Sequence, residues 1–273
     1  MFIPKVQIFQ KGLNLLLLVK NSEQRGNNHV DIFWTGGWDS TFRVLQLIVQ
    51  KKKFVQPYYI LDPKRKSAEA ELNAIKAVEL TVIEKFPYTK ELLRPLIIEN
   101  LDKICTDKVL LNSFVDITKA YNVGRQYSWL ACYCDETGKK RVELSTQKPG
   151  IVYEQIVKDT KHIVEGNDSF YILEKDNNQS KLITLFQYFR FPLLEYTKIE
   201  MQEEAKDFGF DDILELSWFC HAPKWKKYKC GTCTPCITAI EQGLGIRVQF
   251  LGHLRYYLIV KTGLKNLREK LVK

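Results

Sequence analysis

A pair of glycines stands where a strand-like run gives way to a helix-like one, and this junction constrains the fold more than any other part of the chain. Residues 30–34 read Val-Asp-Ile-Phe-Trp, and residues 35–41 read Thr-Gly-Gly-Trp-Asp-Ser-Thr. Adjacent glycines allow a tight turn without Cβ clashes, so successive N–H groups can converge on an anion at the start of a helix. The junction therefore predicts a phosphate-binding loop.

Two interpretations of this loop remain open from its residues alone. Asp39, Ser40 and Thr41 are all common at helix starts, so a turn followed by a capped helix explains these side chains. It does not explain the glycine pair, whereas phosphate binding does. The loop lacks the Gly-Lys-[Ser/Thr] ending of a Walker loop, so no motif lysine follows the β- and γ-phosphates of a nucleotide.

Strand-like and helix-like segments alternate after the loop, which predicts an α/β fold with a parallel sheet. We expect a helix over about 40–50, a strand over 55–61, a helix over 67–80 and a short strand over 81–84. In open sheets of this kind, ligands bind at the carboxyl ends of the strands, which is where the loop lies.

The next part of the chain is harder to interpret. Residues 88–135 read as mainly helical, and residues 136–185 show no clear pattern apart from turn signals. The helical prediction depends on apolar residues at helical spacing, namely Leu92, Leu96, Ile97, Leu101 and Ile104.

Four of the seven cysteines form a group near the end of the chain: Cys220, Cys230, Cys233 and Cys236. In a cytosolic chain such clustering indicates metal binding rather than disulfides. Four thiolates suit a closed tetrahedral zinc site with no open position, which is the interpretation we favour. An iron–sulfur cluster also accepts four cysteines, whereas a redox dithiol would use only two. The remaining cysteines, at 105, 132 and 134, show no ligand spacing.

The formal net charge of +9 includes basic clusters at 51–53, 64–66, 224–229 and 261–273. This excess could attract nucleic acid or an acidic protein, but a lysine-rich surface also explains it, because no RNA-binding signature accompanies the charge. The apolar run Leu13–Val19 is too short to cross a bilayer, and no signal cleavage site follows it. We therefore expect a cytoplasmic protein with no membrane partner, and an oligomer is compatible with the sequence.

Motifs from both ends of the chain together resemble one protein family. The loop is similar to the Ser-Gly-Gly-x-Asp-Ser loop of the N-type ATP pyrophosphatases (PP-loop enzymes), with Thr35 in place of the first serine. Residues 191–198 read Phe-Pro-Leu-Leu-Glu-Tyr-Thr-Lys, a helix-like segment runs on to Gly209, and residues 217–220 read Ser-Trp-Phe-Cys. Over about 30–244, the chain resembles the 7-cyano-7-deazaguanine synthase family of the queuosine pathway.

This resemblance implies an ATP-dependent C–N ligase that uses ATP, Mg²⁺ and Zn²⁺. Enzymes of the family adenylate the carboxylate of 7-carboxy-7-deazaguanine, ammonia displaces AMP to give an amide, and a second ATP drives dehydration to the nitrile. The substrate implied is a small deazapurine carboxylate. Adenylation is needed because a carboxylate has a poor leaving group, whereas an acyl adenylate can release AMP.

The resemblance and the sequence pattern together divide the chain into four parts. An adenine nucleotide alpha hydrolase-like (PP-loop) α/β domain is expected over 30–216, and a four-cysteine zinc module over 217–244. An N-terminal extension over 1–29 could hold a β-hairpin and a linker. Residues 245–273 are expected to form a basic helical tail.

The resemblance also implies roles for individual residues. Asp39, Ser40, Lys198 and Arg125 are the expected catalytic residues, and Asp39 would also help to hold Mg²⁺. Lys198 would stabilise charge as the α–β bond breaks. Exposed, solvated side chains are the alternatives for Lys198 and Arg125. The pyrophosphate-binding residues implied are Thr35, Gly36, Gly37, Trp38, Asp39, Ser40 and Thr41.

Departures from the family pattern leave the substrate and the amine acceptor open. Residues 62–66, Asp-Pro-Lys-Arg-Lys, replace the family's Asp-Tyr-Gly-Gln-Arg-His segment, and residues 142–158 lack the family's glycine-rich strand end. Divergent members of the family occur in antiphage systems, so a macromolecular acceptor, either an acidic protein or a nucleic acid, is an alternative to ammonia. Two other functions remain open: a tRNA-thiolation PP-loop enzyme, and a non-catalytic nucleotide-binding scaffold in a defence or RNA-modification complex.

Overall fold

The computed structural model of the protein describes residues 29–174, 181–225, 228–241 and 247–262. The predicted N-terminal hairpin and linker, and the last eleven residues of the predicted basic tail (263–273), lie outside the described residues. No helix within the described ranges is both long enough and apolar enough to span a membrane.

A parallel sheet forms the centre of the molecule, as the sequence predicts. Its five strands lie in the order β3-β2-β1-β4-β7, and β5 pairs with β6 in a separate antiparallel hairpin. Strand β1 is central and pairs with both β2 and β4 in parallel register. The strands are β1 (His29–Phe33), β2 (Phe54–Leu61), β3 (Ile97–Asn100), β4 (Val142–Glu143), β5 (Thr160–Glu165), β6 (Asp168–Leu173) and β7 (Phe189–Arg190).

Helices connect the strands and cover the sheet. A π-helical turn, Gln46–Gln50, continues the first helix, and another, Tyr256–Lys261, continues the last one described. The helices are α1 (Trp38–Leu45), α2 (Ala68–Lys85), α3 (Lys108–Ala120), α4 (Gln126–Thr137), α5 (Ile151–Ile156), α6 (Lys181–Phe186), α7 (Lys198–Asp207), α8 (Asp211–Leu214), α9 (Thr234–Glu241) and α10 (Phe250–Arg255).

Two apolar clusters lie on opposite faces of the sheet. Successive strand residues point to opposite faces, so the neighbours Ile32 and Phe33 of β1 belong to different clusters. The first cluster packs β1 against α1, α2, α7 and α8, and the second packs it against α3, α4 and α6. The sheet is therefore covered on both faces, which is the usual environment of parallel strands.

A buried ion cluster joins α1 to β4 and to the hairpin. Arg43 is only 1% exposed and donates to both carboxylate oxygens of Glu143, each at 2.8 Å. It also donates to Asp168, at 2.7 and 3.1 Å, and the ammonium groups of Lys51 and Lys53 lie 3.3 and 3.1 Å from that carboxylate. All three lysines of the first basic cluster are therefore engaged within the fold, because Lys52 contacts the hydroxyl and the ring of Tyr88.

The strand predicted over 81–84 is wrong. These residues belong to α2, where Ile75, Val78 and Val82 are buried at helical spacing, so packing overrides their β-branched composition. The third strand is instead Ile97–Asn100, in the segment that we predicted to be helical. Ile97 and Ile98 are exposed because β3 lies at the sheet edge, so its apolar pattern did not indicate a buried strand.

Candidate functional site

The glycine pair forms a tight turn at the carboxyl end of the central strand. Gly36 has φ +70°, and a Cβ atom there would lie 2.7 Å from the carbonyl oxygen of Glu71, so only glycine fits. Helix α1 begins immediately after Gly37, and no side chain makes a capping hydrogen bond at its start. Because the first N–H groups of a helix have no intrahelical acceptor, this turn offers donors for an anion.

The hydroxyl groups of the loop have different surroundings. The hydroxyls of Thr35 and Ser40 lie 3.3 Å apart at the edge of the loop, and both residues line a cleft. Thr41 is buried, and its hydroxyl accepts a hydrogen bond from Trp34 Nε1 at 3.0 Å. Thr35 and Ser40 can therefore contact a ligand, whereas the hydroxyl of Thr41 is engaged with Trp34, the residue that follows β1.

The cleft above the sheet has a volume of about 410 Å³. Its walls come from the ends of β1 and β2, the start of α4 and the segment that follows β4. Four loop residues contribute to it: Thr35, Gly37, Asp39 and Ser40. Aromatic side chains form much of the remaining wall, including Tyr58, Tyr59, Tyr127 and Trp129.

Asp39, which lines the cleft, lies close to Lys198 although the two residues are far apart in the sequence. Lys198 is the first residue of α7, whose start is fixed by a capping box between Thr197 and Glu200. Its Nζ lies 3.9 Å from Asp39 Oδ1, an oxygen that is buried and has no hydrogen-bond partner in the described structure. Burial raises the pKa of Asp39, and the charge of Lys198 opposes that rise.

Arg125 does not lie in the cleft, contrary to the role expected for it. It is exposed immediately before α4 and lines a separate, smaller pocket with residues of α3. Its neighbours Gly124, Gln126 and Tyr127 do line the cleft. The turn indicated by the family resemblance therefore borders the cleft, but Arg125 itself lines a different pocket.

A hydrogen-bonded group around Glu71 was missed by the sequence analysis. Glu71 is 3% exposed and accepts hydrogen bonds from Tyr59 and Ser67, both at 2.7 Å, and from Arg65 at 2.9 Å. Burial and the neighbouring Glu71 raise the pKa of Tyr59. This group holds Arg65 at the wall of the cleft, and the backbone of Glu71 lies close to Gly36. The sequence signal for this group was that residues 62–66 keep an arginine, Arg65, in approximate register with the arginine of the family's Asp-Tyr-Gly-Gln-Arg-His segment.

The segment after β4 brings two further polar groups to the cleft. Ser145 and Gln147 line the cleft, and their side-chain oxygens are buried without a hydrogen-bond partner among residues that the structure describes. Buried polar groups are normally paired, so these two suit a ligand's polar edge. No motif in residues 142–158 indicated them.

The four clustered cysteines form a candidate metal centre. Their sulfur atoms all lie within 4.8 Å of one another, with separations of 3.9 Å for Cys230 and Cys236 and 4.0 Å for Cys220 and Cys233. A tetrahedral zinc site with Zn–S bonds of about 2.3 Å places its sulfurs about 3.8 Å apart. The N–H groups of Cys230 and Cys233 also donate to cysteine sulfurs, which favours thiolates. The four residues could therefore hold a metal ion such as zinc.

The other three cysteines lie away from the cleft. Cys105, Cys132 and Cys134 are all buried in the cluster that packs α3 and α4 on the sheet. Burial raises the pKa of each thiol. None of the three lines the cleft, and raised pKa values disfavour the reactive thiolate form.

A scan against models of known protein families gives no match to this sequence, and a search of curated protein sequences gives none either.

Proposed function

We propose that the cleft binds ATP and that the protein is a PP-loop enzyme, which cleaves ATP to AMP and pyrophosphate. The observation that carries this proposal is the glycine turn at the end of β1, which opens into a cleft lined by Asp39, with Lys198 beside that carboxylate. The sheet order, with β1 central, supports it because ligands of parallel sheets bind beyond the carboxyl ends of central strands.

Each residue of this arrangement has a distinct task. N–H groups of the turn would hold phosphate oxygens, together with the hydroxyls of Thr35 and Ser40. Lys198 would stabilise the negative charge that develops on the departing pyrophosphate. Asp39 Oδ1, which accepts no hydrogen bond in the described structure, suits Mg²⁺, which prefers oxygen ligands and would neutralise phosphate charge when bound.

We extend the proposal to the second substrate, a carboxylate on a flat heterocycle of the 7-carboxy-7-deazaguanine type. Tyr58, Tyr127 and Trp129 offer aromatic surfaces to such a ring, and Ser145 and Gln147 offer unpaired polar groups to its edge. The carboxylate would attack the α-phosphate, releasing pyrophosphate and forming an acyl adenylate. Ammonia or a macromolecular amine would then displace AMP to give an amide. Only the primary amide formed from ammonia could go on to a nitrile, with a second ATP activating the amide oxygen so that it leaves with AMP.

Sulfur transfer is not favoured as an alternative. A thiolation mechanism needs a reactive thiol near the activated base. The cysteines at the metal centre are needed as ligands, and Cys105, Cys132 and Cys134 are buried away from the cleft. A non-catalytic scaffold would bind ATP without releasing pyrophosphate, and product analysis distinguishes it from an enzyme.

The decisive experiment is product analysis. Purified protein is incubated with ATP, Mg²⁺ and 7-carboxy-7-deazaguanine, with and without ammonia, and the products are identified by mass spectrometry. We expect AMP and pyrophosphate, with an amide or a nitrile only when ammonia is present. The Arg125→Gln variant is the matched control and should retain activity, because Arg125 lies outside the cleft.

Each contrary result has a separate meaning. ADP as the main product would contradict cleavage between the α- and β-phosphates. ATP binding without any pyrophosphate release would support the scaffold function. Pyrophosphate release that the deazapurine acid does not stimulate would overturn the substrate assignment but not the ATP site.

We also propose that the metal at the cysteine centre is zinc and that its role is structural. Four protein ligands leave no open position for water or substrate. Metal analysis should find one zinc per chain, and Cys233→Ser should yield zinc-depleted, poorly folded protein. Stoichiometric iron with visible absorbance in anaerobic preparations would contradict the zinc assignment.

A further inference from the structure

The segment Ser217–Phe219 connects the cysteine centre directly to the glycine turn. The backbone N–H of Trp218 donates to the carbonyl oxygen of Gly36 at 2.7 Å. The indole Nε1 of the same residue donates to the carbonyl oxygen of Cys220, also at 2.7 Å. A single tryptophan therefore bonds the turn through its backbone and a metal-ligand residue through its side chain.

Arg247 fastens this segment from the other side. Its Nη2 donates to the carbonyl oxygen and the hydroxyl of Ser217, at 2.7 and 2.9 Å, and its Nε pairs with Glu215 at 2.9 Å. The guanidinium carbon lies 4.9 Å from the ring centre of Trp38 and 5.0 Å from that of Phe219. The guanidinium is thus held between a residue of the loop and the residue that precedes Cys220.

The chain that carries Arg247 is itself packed against the cysteine centre. Gly231 lies between two of the cysteines, and a Cβ atom on it would lie 1.9 Å from the carbonyl oxygen of Gly252. Beside this contact, the N–H of Lys229 donates to the side chain of Gln249 at 3.0 Å. The position of Arg247 therefore depends on the local fold that the four cysteines impose.

We infer that Arg247 is a positioning residue that clamps Ser217–Phe219 against the glycine turn, so that an intact cysteine centre fixes the conformation of the loop. The clamp requires arginine because a planar guanidinium can contact two aromatic rings while its N–H groups bind acceptors in the same plane. Arg247 is only 8% exposed, so these contacts are shielded from solvent. The inference concerns the backbone of the loop and holds whatever anion the loop binds.

Hydrogen exchange measured by mass spectrometry on protein without nucleotide tests the clamp. In Arg247→Gln, we expect amides of residues 34–41 to exchange faster, on the order of tenfold, because several hydrogen bonds and two ring contacts are lost. Amides of β2 should be unchanged, and the zinc content should remain that of the wild type. Arg247→Lys should show a smaller acceleration, because it keeps the charge but loses the planar contacts.

Two comparisons complete the test. Arg141→Gln is the matched control, since Arg141 is exposed and makes a surface ion pair with Glu165, and it should leave exchange in residues 34–41 unchanged. Removing the metal from wild-type protein with a chelator should accelerate exchange in the same loop. The inference is overturned if the loop keeps wild-type exchange in both Arg247 variants, if β2 accelerates equally, or if chelation leaves the loop unaffected.

Discussion

Asp39 and Arg43 lie one turn apart on the same helix, yet their surroundings are opposite. Arg43 is fully enclosed and bonded to two carboxylates and to Gln46. Asp39 has a buried oxygen without a hydrogen bond, and burial raises its pKa. A buried charge with every hydrogen bond satisfied stabilises a fold, whereas a carboxylate oxygen that accepts no hydrogen bond beside a cleft is suited to a ligand. Helix α1 thus divides within one turn into a binding end and a structural end.

The largest effect is expected at the structural end. Arg43→Gln removes one partner from a buried ion cluster and leaves Glu143 and Asp168 with uncompensated charge, so unfolding should become easier by about 3–5 kcal/mol. Denaturant titration followed by circular dichroism measures this loss. If Arg43→Gln does not fold, Arg43→Gln combined with Asp168→Asn is the informative variant, because it also removes a stranded carboxylate. The cluster would not be structural if Arg43→Gln unfolded like the wild type.

At the binding end, activity should fall without a loss of stability. Asp39→Asn keeps the shape of the side chain but removes its charge, so pyrophosphate release should fall by about a hundredfold or more. Stability at neutral pH should not decrease, because the ionised carboxylate is disfavoured by burial in the folded protein. Parallel measurement of turnover and denaturant midpoint checks both statements. A large loss of stability in Asp39→Asn would place Asp39 in the structural class with Arg43.

The binding end of α1 could be predicted from the sequence, but the structural end could not. The glycine turn and the cysteine spacing were readable because each depends on a short stretch of backbone whose geometry its own residues dictate. Arg43 carried no signal, since its partners Glu143 and Asp168 come from distant segments that only the tertiary fold brings together. The same reason explains why Ser145 and Gln147 were missed. Lys198 was identified only through the family resemblance, not from local pattern.

Acidification should have opposite effects on stability at the two ends of α1: protonation of Asp168 removes stability, whereas protonation of Asp39 relieves a destabilising charge. Burial acts to raise the pKa of Asp168, but the bonds and charge of Arg43, together with Lys53 and Lys51, hold that pKa well below its usual range. Its stabilising contribution is therefore complete above the unfolded-state pKa of about 3.9 and is lost only as the pH falls below that value. Asp39 has a raised pKa in the folded state, so its protonation begins at higher pH and relieves a destabilising charge.

Turnover should consequently decline on acidification before stability does. A pH–rate profile compared with denaturant unfolding at each pH measures the two effects on one preparation. In Asp39→Asn, the residual turnover should no longer decline over this acidic range, so the pH–rate profile should lose its acid limb. Coincident loss of turnover and stability in the wild type would indicate that one structural transition explains both.

The smallest effect is expected for Lys198→Gln. Lys198 lies 3.9 Å from Asp39 Oδ1 and is 36% exposed, so solvent screens part of its charge. Turnover should fall by roughly tenfold, and the acid limb of the pH–rate profile should move to higher pH, because the charge that opposes the rise in the Asp39 pKa is gone. Lys119→Gln is the matched control, since Lys119 is 74% exposed and makes an ion pair with Asp116 on the surface. A wild-type profile in Lys198→Gln would exclude Lys198 from the site.

The ion cluster around Arg43 also bears on how the protein is synthesised. Arg43 bonds to Glu143 and Asp168, which follow it by 100 and 125 residues. On the ribosome, the guanidinium is made long before either carboxylate, and burying it alone would leave an unpaired charge in the core. Docking of helix α1 with a paired guanidinium therefore requires that at least residue 143 has emerged from the exit tunnel, and the cluster is complete only once residue 168 has followed.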